Sequence, residues 1–262
     1  MHPALTLLGH DVPAYEHLLA LGACALVAVV AGSAPRQLPR ERVFAWISGT
    51  YLAAIAGARL AFAASRLPAS DEALAALART SAVGFSSIGG LMAGALAAWW
   101  LARALALPFE RLWAPLVLGG CLFGALARLG CFLAGCCHGH PTSLPWAVVY
   151  PPLAPADRLY GPGIAVHPSP LYEAALLLAI AAWLAWPRTA GRASRAGGAV
   201  LAYLSGRFAL DFLRGDTVRL EGLTPMQWLA VGAVVFAMAA AAGRAFLRAT
   251  RNPSPAGGVS LK

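Results

Sequence analysis

The sequence contains few charged residues for a chain of 262 residues. Asp, Glu, Lys and Arg together make up 12% of it, whereas a soluble domain carries about 25%. Hydrophobic residues reach 59%, and they form runs of about 20 residues, enough to cross a hydrocarbon core about 30 Å thick. These proportions exclude an ordinary soluble globular protein.

A basic n-region is also missing from the N-terminus, so we expect no cleavable signal peptide. The net charge of +9 would suit a protein that binds nucleic acid. However, the basic residues lie in the gaps between the apolar runs and do not gather in one soluble domain. We therefore predict no nucleic-acid partner and attribute the charge to the Lys and Arg excess on the cytoplasmic side of membrane proteins.

Seven apolar segments predict an all-α, polytopic membrane protein with about seven transmembrane helices. The segments are residues 13–32, 43–65, 86–106, 112–136, 169–186, 197–213 and 225–243. The gaps on one side hold twelve basic residues, namely Arg36, Arg40, Arg42, Arg103, Arg111, Arg188, Arg192, Arg195, Arg244, Arg248, Arg251 and Lys262. The other side holds five, namely Arg66, Arg79, Arg158, Arg214 and Arg219. This bias predicts a bacterial inner-membrane protein with its N-terminus outside and its C-terminus in the cytoplasm.

Two outward segments, residues 66–85 and 137–168, are too long to be simple turns. We predict that the second forms a small outward-facing head. Both belong to one transmembrane domain of residues 1–251, which is followed by a disordered cytoplasmic tail at residues 252–262.

Five ionisable residues lie inside the predicted spans, where each charge costs about 2.5–3.5 kcal/mol on insertion scales. They are Arg59, Arg128, Glu173, Arg207 and Asp211. All of them fall toward the outer side, so one outward-opening polar cavity can hold them. The alternative is that paired charges, such as Arg207 with Asp211 or Arg59 with Glu173, only lock helices together. Three arginines against two carboxylates instead favour an anionic ligand, and at this depth the available anion is a phospholipid head group.

At these residues the chain resembles the prolipoprotein diacylglyceryl transferase family. The motifs, in family order, are residues 57–60 (GARL), 128–135 (RLGCFLAG) leading to Gly139, 167–173 (HPSPLYE), 207–214 (RFALDFLR) and 225–228 (PMQW). The resemblance implies a seven-helix enzyme that moves a diacylglyceryl group from phosphatidylglycerol to the thiol of a lipobox cysteine. Glycerol phosphate leaves, the acceptor is a lipoprotein precursor, and no cofactor is required.

The resemblance also implies roles for individual residues. Arg128 and Arg207 match the family's functional arginines and are expected to bind the phosphate. His167 either acts in the site or begins the fifth span beside Pro168. The expected lipid-binding residues are Tyr15, Arg59, Gly89, Gly90, Gly139, Tyr172, Glu173, Asp211 and Arg214.

Two departures from the family pattern change the expected site. The family's histidine in His-Gly-Gly-Leu is Ile88 here, and isoleucine can neither accept nor donate a proton. The family's two asparagines and its glutamate after the first arginine are replaced by Cys131, Ala134 and Cys136. The loss of the histidine favours a rival hypothesis, a non-catalytic relative that binds anionic lipid or a lipoprotein precursor.

The rewritten segment contains Cys131, Cys136, Cys137, His138 and His140. Its residues allow a zinc site, a disulfide bond to Cys131, or simple packing near a helix end. They also allow a functional role, in which a histidine replaces the missing proton acceptor or a cysteine acts as a nucleophile. We place His138 among the expected catalytic residues and assign no residue to a metal. A thiol or metal protein on the same scaffold is a further rival hypothesis.

Overall fold

The computed structural model describes residues 4–7, 10–65, 86–186, 192–217 and 219–251. The predicted outward segment 66–85 and the predicted tail 252–262 lie outside these described residues. The described residues form eight α-helices: α1 Ala14–Ser33, α2 Arg40–Ala64, α3 Ser87–Ala104, α4 Phe109–Ala134, α5 Pro155–Tyr160, α6 Ser169–Ala185, α7 Arg192–Leu210 and α8 Pro225–Arg251. A 3₁₀ turn, Asp211–Leu213, continues α7.

The predominantly helical fold predicted from the sequence is confirmed. Each predicted span overlaps one helix, and only the short α5 has no predicted counterpart. Within the described ranges, α1, α2 and α4 are long and apolar enough to cross a membrane, judged by length and composition. The apolar parts of α6 and α8 are shorter.

The fold departs from a purely helical one at two small antiparallel sheets. Strand β1, Ala4–Leu7, pairs with β2, His10–Pro13, and strand β3, Val148–Val149, pairs with β4, Ala165–Val166. The second sheet lies in the segment that we predicted to be a head. Backbone N–H and C=O groups outside helices need partners, and strand pairing supplies them.

One end of the helix bundle is an apolar cluster around Trp46, and we call it the Trp46 end. The Trp46 side chain is fully buried, and its Nε1–H donates to the carbonyl of Ala98 at 2.7 Å. The cluster also contains Val30 and Leu112. It therefore joins the C-terminal parts of α1 and α3 to the N-terminal parts of α2 and α4, as expected for antiparallel neighbours.

The opposite end of the bundle is polar, and we call it the Glu173 end. Helix α6 packs antiparallel against α4, because Leu177 contacts Gly124 while Glu173, one turn earlier, contacts Arg128. Late α4, early α6 and late α7 therefore meet at this end. The fold thereby gathers residues that are far apart in the sequence.

The head is fastened to the Glu173 end at Gly139. The Gly139 N–H donates to the His167 carbonyl, and the His140 N–H donates to the Leu213 carbonyl, both at 2.9 Å. A Cβ atom at Gly139 would lie 2.5 Å from the His167 Cβ and 2.7 Å from the Leu213 oxygen. Only glycine fits between these two segments, so Gly139 fixes the head over the ends of α6 and α7.

Candidate active site

Glu173 lies at the centre of the polar end, in the second turn of α6. Its side chain is 3% exposed, and Oε2 is 3.0 Å from the Arg128 Nε and 3.4 Å from the Arg207 Nε. The other carboxylate oxygen, Oε1, accepts a hydrogen bond from the Tyr203 hydroxyl at 2.9 Å. One carboxylate thus joins α4, α6 and α7, and its buried charge is balanced by guanidinium groups.

Asp211 forms a second buried carboxylate centre one helical turn after Arg207. The two side chains form an ion pair, as the i,i+4 spacing predicts, and Asp211 is fully buried. Its Oδ2 accepts a hydrogen bond from the Thr224 hydroxyl, which comes from the start of α8. Arg207 is therefore held by Glu173 on one side and by Asp211 on the other.

Thr224 and Gln227 form a capping box at the start of α8. The Gln227 N–H donates to the Thr224 hydroxyl oxygen at 3.1 Å, and the Thr224 N–H donates to Gln227 Oε1 at 2.8 Å. The Gln227 side chain also donates to the Phe208 carbonyl at 3.0 Å. This box fixes the hydroxyl that binds Asp211, and it ties α8 to α7.

Arg214 lies just beyond the 3₁₀ turn, beside the same cluster. Its Nε and NH2 each donate to one Asp216 carboxylate oxygen at 3.0 Å. Burial raises the pKa of Asp216, and the nearby Arg214 charge partly offsets that effect. These two residues add one charge of each sign, so net charge alone does not make the cluster attract an anion.

Exposure distinguishes the two arginines that bind Glu173. The Arg128 side chain is 14% exposed and the Arg207 side chain 4%. The Arg128 NH1 also lies 3.5 Å from the Cys137 sulfur. Arg128 is therefore the more exposed of the two arginine side chains.

The cysteines of the rewritten segment lie next to Arg128. The sulfurs of Cys131, Cys136 and Cys137 are all within 4.8 Å of one another, and all five cysteines of the chain are free thiols. The neighbouring Cys131 and Cys136 thiols lower the pKa of Cys137 well below its ordinary value; burial opposes this effect, and the Arg214 and Arg128 charges reinforce it. Thiolates at this spacing are suitable ligands for a soft metal ion.

The predicted histidines lie in the head and at its junction with α6. His138 is 1% exposed, its Nδ1 lies 3.2 Å from the Gly139 carbonyl oxygen, and its ring packs edge-to-face on Tyr160. His167 is half-buried, with Nδ1 3.3 Å from the Tyr172 hydroxyl. His138 is thus enclosed, while His167 is partly exposed beside Tyr172.

The remaining predicted residues lie on other helices. Tyr15 of α1 packs against α4 at Gly130, where a Cβ atom would be 2.9 Å from the Tyr15 ring. Arg59 is half-buried on α2. Gly89 and Gly90 lie in the α2–α3 contact, where a Cβ at Gly89 would be 2.3 Å from a backbone oxygen of α2. The geometry at Gly89 is that of close helix packing.

Ile88, at the position of the family's histidine, packs against an apolar cluster. That cluster contains Leu204, Met226 and Ala230 of α7 and α8. A charged imidazole would be poorly solvated among these side chains. The apolar surroundings of Ile88 therefore suit an isoleucine better than a histidine.

Sequence reasoning missed three residues that shape the site: Tyr203, Thr224 and Trp146. Tyr203 lies one turn before Arg207, so the 203, 207 and 211 spacing was the available signal. Thr224, followed three residues later by Gln227, is a capping-box pattern. Trp146 donates to the Tyr172 hydroxyl at 2.7 Å, and no local pattern signals that contact across 26 residues.

The fold and the site together define a multi-pass membrane protein whose buried ionisable side chains form one cluster at one end of a helix bundle. A family model described as prolipoprotein diacylglyceryl transferase matches residues 3–242. The chain therefore belongs to the prolipoprotein diacylglyceryl transferase family, as the sequence motifs predicted.

Several relatives carry the name phosphatidylglycerol–prolipoprotein diacylglyceryl transferase. The chain is 37% identical over 166 residues to the protein of Chromohalobacter salexigens, covering 61% of this chain and 58% of the relative. It is 35% identical over 158 residues to that of Nitratidesulfovibrio vulgaris, covering 58% and 56%. For Clostridium tetani the identity is 32% over 137 residues, covering 51% and 53%. The chain thus matches a little over half the length of these curated relatives.

Proposed function

We propose that this protein transfers the diacylglyceryl group of phosphatidylglycerol to the lipobox cysteine thiol of lipoprotein precursors. Family membership and the names of the relatives support this reaction. The observation that carries the proposal is Arg128, whose guanidinium joins a buried ion-pair cluster while its side chain as a whole stays 14% exposed. The leaving group of the reaction is a phosphate ester, and an accessible guanidinium suits its oxygens.

The proposed orientation places the Glu173 end at the outer face of the bacterial inner membrane. In this arrangement the seven helices other than α5 cross the bilayer, with the N-terminus outside and the C-terminus in the cytoplasm. The basic residues support it, since Arg40, Arg42 and Arg195 lie at the Trp46 end. Phosphatidylglycerol head groups and the secreted precursor would then meet the site from the outer side.

The two arginines would have different roles in the reaction. Arg128 would donate hydrogen bonds to the phosphate oxygens and stabilise the charge that grows as the phosphate leaves. Arg207 is held between Glu173 and Asp211, so we assign it as a positioning residue that keeps Glu173 and hence Arg128 in place. Replacing Arg207 by Lys should mainly lower kcat, whereas Arg128→Lys should also raise KM for the lipid.

In the chemical step, the glyceryl carbon exchanges its bond to a phosphate oxygen for a bond to sulfur. The acceptor thiolate attacks the glyceryl carbon that bears the phosphate, a C–S bond forms, and the C–O bond breaks. Glycerol phosphate leaves with the electron pair of that bond. The hydrogen-bonded group of His167, Tyr172 and Trp146 would contact the lipid head group at the mouth of the site.

The test uses the purified full-length protein in detergent–lipid micelles with a lipobox peptide. Mass spectrometry would detect the diacylglyceryl thioether, and an enzymatic assay would detect released glycerol phosphate. We expect both products with phosphatidylglycerol, and neither when phosphatidylethanolamine replaces it or serine replaces the peptide cysteine. Folded protein that forms no thioether with phosphatidylglycerol would contradict the proposal.

A second candidate function is non-catalytic binding of the same lipid. The observation that favours it is the apolar packing around Ile88, which leaves no proton acceptor at that position. Binding of phosphatidylglycerol without release of glycerol phosphate, abolished by Arg128→Ala, is the result that this alternative predicts.

A further inference from the structure

Three cysteine sulfurs converge at the end of α4, beside the Glu173 end. Cys131 lies in the last turn of α4, and Cys136 and Cys137 follow the helix directly. All three sulfurs lie within 4.8 Å of one another. Two sulfurs on one tetrahedral zinc ion are about 3.8 Å apart, since each Zn–S bond is about 2.3 Å. Small side-chain rotations would therefore bring them to a common ion.

The backbone explains how two adjacent cysteines can turn to the same point. Gly135 ends α4 with φ +74°, and Cys137 has φ +59°, which is uncommon for a residue with a side chain. The Cys136 N–H donates to the Cys131 carbonyl at 3.1 Å. The chain thus curls back over the helix end, and this turn overcomes the usual divergence of neighbouring side chains.

The surroundings of the sulfurs suit an anionic metal–thiolate centre. Cys131 is 6% exposed, and the Arg128 NH1 lies 3.5 Å from the Cys137 sulfur. Ser169 donates to the Cys137 carbonyl at 2.6 Å, which fixes the loop to the start of α6. Three thiolates and one divalent cation carry a net charge of −1, and guanidinium groups stabilise such a charge.

We propose that Cys131, Cys136 and Cys137 bind one Zn²⁺ ion, and that its fourth coordination position takes the thiolate of the acceptor cysteine. Three protein ligands with one open position are typical of catalytic zinc sites, whereas structural sites are closed by four. The acceptor half of this inference rests on the proposed function. The zinc site would lie beside Arg128, the residue assigned to the phosphate.

The zinc site would supply the nucleophile of the transfer. When the acceptor thiol binds the ion, its S–H bond breaks and the proton passes to water. The zinc-bound sulfur then attacks the glyceryl carbon, and glycerol phosphate departs with the C–O electron pair. The product thioether is neutral and a poorer zinc ligand than a thiolate, so it leaves the ion and frees the position.

The experiment measures metal binding by the reduced, full-length protein in detergent. After chelation the protein is titrated with Zn²⁺, and with Co²⁺ as a spectroscopic substitute. We expect one ion per chain and the sulfur-to-cobalt charge-transfer band of a thiolate site. Each of Cys131→Ser, Cys136→Ser and Cys137→Ser should weaken binding by more than about 10-fold, since even outer-shell changes cost 10–100-fold.

Two cysteines outside the cluster provide matched controls. Cys24 is exposed on α1, and Cys121 is buried on α4, the same helix as Cys131. Cys24→Ser and Cys121→Ala should bind zinc like the wild type. Wild-type protein also offers a test without substitution, because bound Zn²⁺ should protect three of its five thiols from alkylation.

The outcomes separate the zinc site from the proposed function. A lipobox peptide should change the cobalt d–d spectrum, and its Cys→Ser version should not. Absence of the charge-transfer band, or a disulfide between two of the three cysteines in protein isolated from membranes, would overturn the zinc site. Transfer that continues after complete chelation would overturn the role of zinc in binding the acceptor thiolate, while leaving the proposed function intact. A cobalt spectrum that responds to the peptide without any transfer would support the site and count against the function.

Discussion

The arginines at the two ends of the helix bundle bind different partners. At the Trp46 end, Arg40 donates to the Ala31 carbonyl at 2.7 Å, Arg42 to the Leu105 carbonyl at 3.4 Å, and Arg195 to the Trp186 carbonyl at 2.9 Å. Each of these carbonyls lies at the C-terminal end of a helix, where the backbone carbonyls lack helical partners and the helix dipole favours a cation.

At the Glu173 end, arginines bind buried carboxylates instead. Arg128 and Arg207 share Glu173, and Arg207 also pairs with Asp211. The position of an arginine along the sequence therefore indicates an end of the helix bundle, whereas its binding partner indicates its role. An arginine that binds a backbone carbonyl stabilises the end of a helix, whereas an arginine that binds a buried carboxylate belongs to the candidate site. Four substitutions test this distinction.

The largest expected effect on stability follows from Glu173→Gln. The change leaves two guanidinium groups without their shared carboxylate, and breaking a buried ion pair costs about 3–5 kcal/mol. Thermal unfolding of the protein in detergent would measure the loss. Glu110→Gln, in the exposed first turn of α4 at the other end, should change the free energy of unfolding by less than about 0.5 kcal/mol. Equal losses of unfolding free energy for Glu173→Gln and Glu110→Gln would contradict the distinction between the two ends of the bundle.

Arg128→Ala should lower the rate of diacylglyceryl transfer by about 100–1,000-fold. Removing one group that stabilises transition-state charge typically has an effect of this size. The measurement is glycerol phosphate release per folded protein. Arg42→Ala, which removes an exposed anchor at the Trp46 end, should keep the rate within a few-fold. Comparable rates for the two variants would show that Arg128 does not contact the phosphate.

Thr224→Ala should destabilise the protein by about 1–2 kcal/mol. The variant loses the N-cap of α8 and also the hydroxyl that donates to Asp211. Ser86→Ala removes a comparable cap from α3, but there the Gly89 N–H lies 3.5 Å from the serine oxygen, so about 0.5 kcal/mol is expected. Denaturation of both variants under identical conditions gives the ratio. A larger loss for Ser86→Ala would mean that the Asp211 contact adds nothing.

The smallest effect is expected for Trp46→Phe. Phenylalanine keeps most of the apolar packing but cannot donate to the Ala98 carbonyl, which costs about 1 kcal/mol. The transfer rate should not change, because the substitution lies at the opposite end from Arg128. A lower transfer rate for Trp46→Phe at unchanged stability would show that the two ends of the bundle are coupled, which would contradict their separate roles.

Much of the fold could be predicted from the sequence because apolar runs of membrane length leave few alternatives. The predicted first span, 13–32, corresponds to α1 at Ala14–Ser33, and the fourth, 112–136, to α4 at Phe109–Ala134. The i,i+4 spacing also places Arg207 and Asp211 on one face of a helix, where they pair. Such local patterns are properties of a single helix, so they can be read without a partner.

The contacts between helices could not be predicted in this way. Spacing along the chain does not say which arginine Glu173 meets, and the structure brings both Arg128 and Arg207 to it. The sequence also does not predict the left-handed backbone conformation at Cys137. That conformation lets the side chains of two adjacent cysteines point to the same place, although neighbouring side chains normally diverge. The sheet of the head pairs Val148 with Val166 and Val149 with Ala165, and no local sequence pattern signals that pairing.

The membrane-spanning character of the chain, its helices and the motifs of its family follow from the amino-acid sequence alone, because hydrophobicity and motif spacing are local properties. The packing of the helices sets how far the Arg128 and Arg207 side chains are exposed, and it brings three sulfurs together beside Arg128. The exposure of the arginines and the convergence of the sulfurs depend on which helix faces meet. Those contacts are set by the packing of all the helices together and not by any one helix.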